Sequence, residues 1–170
     1  MVNGEERLPI PNPDEWAAAK RDPSSPSVAA GAEASISAAL LQAVIDAARR
    51  GVPNEACGLL VSDHYWAEGG APARWVELRN AAQSPYRYMI DAQEQLRVWT
   101  DLDDADEVVW AIVHSHVASP AEPSQTDVGL AYYPDSLYVI CSLTDPDRPT
   151  VRAWAIADGA VSEVTLLVSE

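Results

Sequence analysis

His114 and His116 stand one residue apart at the end of the apolar run "VVWAIVHSH", and Ser124 and Asp127 follow across the proline-bearing loop "VASPAEP". On an extended strand, residues i and i+2 share a face about 6.5–7 Å apart, so two imidazoles can converge on one ion while Ser115 points away. A third ligand must come from elsewhere. Asp127 suits the role, because helical side chains lean toward the helix N-terminus and a carboxylate in the first turn after Ser124 points back at the loop. Two His and one Asp match a catalytic zinc site, in which three protein ligands leave a fourth position for a water whose pKa falls to about 7. Such chemistry also needs a carboxylate that is not a ligand, to move protons. Glu55, in "PNEACGLL" just before an apolar run, is placed to serve.

Each of these residues has a plainer reading. A buried histidine is commonly a hydrogen-bonded core residue, "SQTD" is an ordinary capping box with Ser124 as N-cap and Asp127 as N3, and Glu55 alone is a turn residue. What favours chemistry is the convergence: the chain has three histidines, and two of them end this one strand. The third, His64 in "SDHYW", reads as a solvated turn residue.

The elements that must position these groups form an α/β pattern. "ISAALLQAVIDAARRG" predicts a helix from Ile36, with Leu40, Leu41, Val44, Ile45 and Ala48 at helical spacing, Ser37 as N-cap and Gly51 just past the end. "ACGLLVS", "ARWVELRN" and "YRYMI" predict strands. "DAQEQLRVWTDLDDADE" predicts a helix opened by the Asp91/Glu94 capping pair. The β-branched "VVWAIVHSH" is a strand, "SQTDVGLAYY" a short helix, and "SLYVICSL", "TVRAWAIA" and "AVSEVTLLV" close the chain as strands. Helix, three strands, helix, strand, helix and three strands imply one α/β domain over 34–170 with a mixed sheet flanked by helices. Residues 1–33, rich in Pro, Ser, Ala and Gly, read as a flexible extension with a helical turn at "DEWAAAKR", in which Trp16 is exposed.

Composition narrows the partners. With 170 residues and 48% apolar content the chain supports one core. A formal charge of -15 disfavours nucleic acid, whose binding depends on cations that neutralise phosphates. No apolar run is long enough for a membrane span, and the acidic, Pro-rich start lacks the layout of a secretory signal, so the expected location is cytoplasmic. Cys57 and Cys141 lie within apolar runs and read as buried thiols rather than a disulfide.

"HSH", seven residues, then "SQTD" follows the H-[ST]-H-x7-S-x-x-D signature, and the chain resembles the JAMM (MPN-plus) zinc metalloproteases; "PNEACGLL" looks like their upstream Glu-x-Cys-Gly segment. The resemblance runs from about Ile36 to Val168, and "NAAQSPYRYMIDAQEQLRVW" and "PSQTDVGLA" are most similar to actinobacterial members. It implies a JAMM-type mixed sheet related to cytidine deaminases and one Zn2+ held by His114, His116 and Asp127. It also implies Glu55 as general base and acid, and Ser124 as donor to the oxyanion. The implied reaction is hydrolysis after the C-terminal glycine of a small ubiquitin-like sulfur-carrier protein ending in Gly-Gly, releasing cysteine for cysteine biosynthesis. Alternatives are an isopeptidase removing a ubiquitin-like protein from conjugates or processing its precursor, and a non-catalytic scaffold of the same fold. Self-association into a homodimer is a further expectation. The Pro-rich arm and the "DHYWAEGGAPAR" loop lie outside the resemblance.

Overall fold

The computed structural model describes residues 28–170, so the N-terminal arm with Trp16 and the turn expected at "DEWAAAKR" lie outside the described residues. Strand β1 (Glu33–Ser37) leads into helix α1 (Ala38–Gly51); then come β2 (Cys57–Ser62), a short 3-10 turn at Trp66–Glu68 and β3 (Arg74–Leu78). Helix α2 (Ala92–Asp104), β4 (Val108–His116), helix α3 (Gln125–Gly129), β5 (Leu137–Ser142), β6 (Thr150–Ala157) and β7 (Ala160–Ser169) complete the chain. The seven strands form one sheet in the order β1-β7-β6-β5-β4-β2-β3. β1/β7 and β4/β5 pair in parallel and the other neighbours are antiparallel, so the sheet is mixed, as the sequence implies.

The sheet buries both faces around β4, whose residues beyond Val108 are all buried. One face packs under α1: Val44 and Ala48 meet Leu60, Trp110, Val113, Val139 and Cys141. The other packs under α2 and α3, where Trp99 and Leu102 meet Leu59, Ile112, Tyr138 and Ile140, with Tyr88 and Val128 at the margin. Such apolar burial, at about 25 cal/mol per Å², is the main force holding the layers together. Gly58 lets the faces close: a Cβ there would lie 2.3 Å from Trp75 Cη2 and 2.5 Å from the Val76 carbonyl oxygen, so only glycine lets the indole lie across β2.

Three expectations change. The helix predicted from Ile36 begins at Ala38, because Glu33–Ser37 is a strand that pairs with β7, Glu33 opposite Thr165; Ser37 still caps the helix by accepting the Leu40 N–H at 3.3 Å. Gly51 is the last helical residue rather than a left-handed cap, and its value is room: a Cβ there would stand 2.9 Å from Ala56 Cβ. "YRYMI" is not a strand. It makes one isolated bridge, Asn80 to Ile90, because the Asn80 side chain takes the Arg87 carbonyl and the Met89 N–H that a sheet partner would have used. Both cysteines are free and buried, as their apolar surroundings imply. Among the described residues, no helix is long and apolar enough to cross a membrane.

Candidate metal centre

The site forms where β4 ends. Its last residues alternate: His114 and His116 face the α3 side, while Ser115 turns the other way and clamps the chain that carries Glu55. Ser115 Oγ accepts the Ala56 N–H at 2.8 Å, and the Ser115 N–H donates to the Ala56 carbonyl at 3.0 Å. Register continues this pairing with Cys57 opposite His114. Glu55 is secured from its other side too, its N–H donating to the Ser84 carbonyl and its own carbonyl accepting from Asn80 Nδ2.

Asp127 reaches the histidines through the capping box. Ser124 Oγ accepts the Asp127 N–H at 3.1 Å, and Asp127 Oδ2 accepts the Ser124 N–H at 2.7 Å. Capping and ligation are therefore one arrangement, since the reciprocal bonds turn the carboxylate toward the end of β4. Ser124 itself is exposed, and its hydroxyl uses a lone pair in the cap, which leaves its O–H free to donate.

His114 Nε2 lies 3.1 Å from His116 Nε2, 3.3 Å from Asp127 Oδ1, and His116 Nε2 lies 3.4 Å from Asp127 Oδ2. Bonds of 2.0–2.1 Å at tetrahedral angles put neighbouring ligand atoms about 3.3 Å apart; the spacing between the two nitrogens, and from each to the carboxylate oxygen it faces, suits a zinc-sized ion. Tautomers agree. The Pro120 carbonyl, 2.6 Å from His116 Nδ1, can only accept, so the proton sits on Nδ1 and the Nε2 lone pair faces the cluster. His114 is 1% exposed, stacked on Tyr88 at 4.5 Å, and its Nδ1 has no hydrogen-bond partner among the described residues. Nothing there balances the burial of this ring except what meets it at Nε2. These three residues can therefore hold a metal ion.

Charge is distributed accordingly. Burial pushes the Glu55 carboxyl up to about 7, with the His116 charge opposing and the Asp127 charge adding to the rise; the side chain is 5% exposed. Burial works to raise Asp127 too, but the adjoining imidazoles of His114 and His116 and the Ser124 backbone N–H outweigh it and hold this carboxyl well below the usual range. Burial lowers His114. One carboxylate thus stays ionised at the cluster while its neighbour can take up or release a proton near neutrality, a division suited to hydrolysis.

All five residues singled out in the sequence meet at this end of the sheet. Ser115, Asn80, Tyr88 and Pro120, which organise it, were not singled out. A small hydroxyl residue between two paired histidines could have marked Ser115; nothing local marks the other three.

Residues 37–157 match the family of prokaryotic homologs of the JAB domain, and the chain belongs to that family. It is 46% identical over 136 residues to the CysO-cysteine peptidase of Mycobacterium tuberculosis, covering 79% of this chain and 90% of that one. It is 30% identical over 130 residues to the desampylase of Haloferax volcanii, covering 71% and 86%. Among solved structures, a protein from Desulfitobacterium hafniense superposes with a TM-score of 0.71 at 32% identity, over 80% of this chain and 92% of that one. A JAB1/MPN domain protein from Archaeoglobus fulgidus, 18% identical, shares the fold with a TM-score of 0.50 over 81% and 100%. Family and relatives together make the chain a peptidase.

Proposed function

We propose that this chain is a zinc-dependent metallopeptidase that hydrolyses the amide bond after the C-terminal glycine of a ubiquitin-like sulfur-carrier protein, releasing cysteine in the cytoplasm. The reading rests on one observation above all: the Nε2 atoms of His114 and His116 stand 3.1 Å apart, each within 3.4 Å of an Asp127 carboxylate oxygen, beside a buried carboxyl whose pKa is about 7. The 46% identity to the mycobacterial CysO-cysteine peptidase, over 90% of that chain, supports the substrate class.

In this reading His114, His116 and Asp127 hold the zinc. When bound, zinc supplies hydroxide near neutral pH by lowering the pKa of a water and polarises the scissile carbonyl. Glu55 removes the proton of the attacking water and delivers it to the leaving amine, roles for which a pKa near the working pH is best. Ser124 donates its O–H to the oxygen on which charge develops.

The test is hydrolysis of a carrier ending in Gly-Gly-Cys. The expected result is cleavage after the second glycine, abolished by chelation, restored by zinc, and slowed about 10²–10⁴-fold in Glu55→Gln. Equal rates in the two proteins, or activity untouched by chelation, would contradict the reading. A second reading is supported by the likeness to the Haloferax desampylase: the same residues would serve an isopeptidase acting on lysine conjugates. Parallel assays on a cysteine adduct and a lysine conjugate separate the two.

A further inference from the structure

His116 is fixed by the loop that follows it, and that loop is fixed by side chains of the end of β5, the turn after it, and β6. Three successive carbonyls in the loop accept from four different side chains. The Ser119 carbonyl accepts from Ser142 Oγ at 2.7 Å and Thr144 Oγ1 at 3.0 Å. The Pro120 carbonyl accepts from His116 Nδ1 and from the Glu122 N–H. The Ala121 carbonyl accepts from the indole Nε1 of Trp154 at 3.0 Å, in a bond buried at both ends. Trp154 is itself secured. It lies on β6, paired with Tyr138 on one side and Glu163 on the other, and Arg152 packs over its ring at 4.5 Å. Arg152 in turn bonds Glu122 of the loop and both carboxylate oxygens of Glu163 at 2.8 Å each.

We propose that Trp154 is a positioning residue for the metal centre: by holding the Ala121 carbonyl it fixes the adjacent Pro120 carbonyl on His116, and so selects the imidazole tautomer whose Nε2 lone pair faces Asp127 and His114. The inference rests on the reading of His116 as a ligand. Which nitrogen of a histidine carries the proton is set by the hydrogen bond its other nitrogen makes, and such outer partners commonly change metal affinity 10–100-fold. The bond from Trp154 lies one peptide away from the one that sets His116. Without it the Ala121–Glu122 peptide is held only by the Glu122 N–H bond to the Pro120 carbonyl, and any rotation of that peptide pulls on the carbonyl that sets His116.

Trp154→Phe removes the donor and keeps a ring beneath Arg152. In metal-free, 15N-labelled protein above the titration of His116, long-range proton–nitrogen correlations report the tautomer directly. The wild type is expected to show Nδ1–H at His116, and Trp154→Phe a substantial Nε2–H population. Zinc Kd, from chelator competition, should rise about 10-fold in the variant. A wild-type tautomer pattern together with a Kd within about twofold would overturn the proposal. Should Trp154→Phe fail to fold, Arg152→Gln carries the same test through Glu122, with a smaller shift expected and wild-type behaviour again overturning it. A wild type that binds no zinc would defeat the metal reading, while the metal-free spectra would still decide whether Trp154 governs His116.

Discussion

The two faces of β4 are built from alternating residues of one strand, yet they differ in kind. Under α1 the strand contributes Trp110, Ala111 and Val113 to an apolar cluster closed by helix packing. On the α3 side the same stretch, two residues at a time, passes from Ile112 to His114 and His116, and the packing gives way to a polar cluster whose His114 ring stacks on Tyr88. The closed face supplies rigidity, and the open face spends it on holding histidines and a carboxylate where each alone would be unfavourable. Ser115 is the link, since it points to the closed side yet clamps the segment bearing Glu55. A site of this type needs its strand buried on both sides, because only then are the ligand rings set within tenths of an ångström.

This contrast can be broken from either face. Trp110→Ala, at a fully buried ring whose Nε1 bonds the Gly70 carbonyl at 2.7 Å, should lower stability by about 3–5 kcal/mol. Turnover per folded molecule at low temperature should change little. A matching fall in turnover would show that the faces are not separable. Ser115→Ala should act on both sides: it strips the acceptor from the Ala56 N–H, at about 1–3 kcal/mol, and also slows hydrolysis by loosening Glu55. Unfolding curves and kcat, measured together, check it; a pure stability loss would confine Ser115 to the closed face.

Glu55→Gln sharpens the contrast through pH. With a folded pKa of about 7 against an ordinary 4.5, metal-free protein holds a proton at Glu55 that the unfolded chain has released between those values. Stability from this group is therefore fully present below pH 4.5 and falls as pH rises toward 7, whereas glutamine does not titrate. In the presence of chelator, the Tm of Glu55→Gln relative to wild type should rise from pH 5 to pH 8. A flat difference would mean that Glu55 is not desolvated. The smallest effect is expected at the thiols. Burial pushes Cys57 up to about 12 and Cys141 up to about 11, so neither should react with iodoacetamide in folded protein, and alanine at 141 should leave turnover intact. Rapid labelling that also stops hydrolysis would point to a cysteine nucleophile instead.

Local chemistry explains what could be read in the sequence. Strand β4, the Ser124–Asp127 capping box and the amphipathic α1 carry their signals within a few residues, and the proximity of Glu55 to the histidines follows from the family likeness of "PNEACGLL". Long-range choices were not legible. β1 exists because Thr165 and its neighbours, at the other end of the chain, offer a free edge to a five-residue stretch that by itself reads as a helix start. "YRYMI" has strand composition, but Asn80 consumes its backbone groups. The hold of Trp154 on Ala121 spans two elements with no shared pattern. Such contacts are decided by what the fold brings together and leave no period or motif behind.

The most direct test is zinc content and affinity of protein purified metal-free and reloaded, in wild type beside Asp127→Ala. The account expects one tightly held zinc per wild-type chain and its loss in the variant, with secondary structure unchanged. Wild type that takes up no zinc, or Asp127→Ala that retains it with the same Kd, would contradict the account.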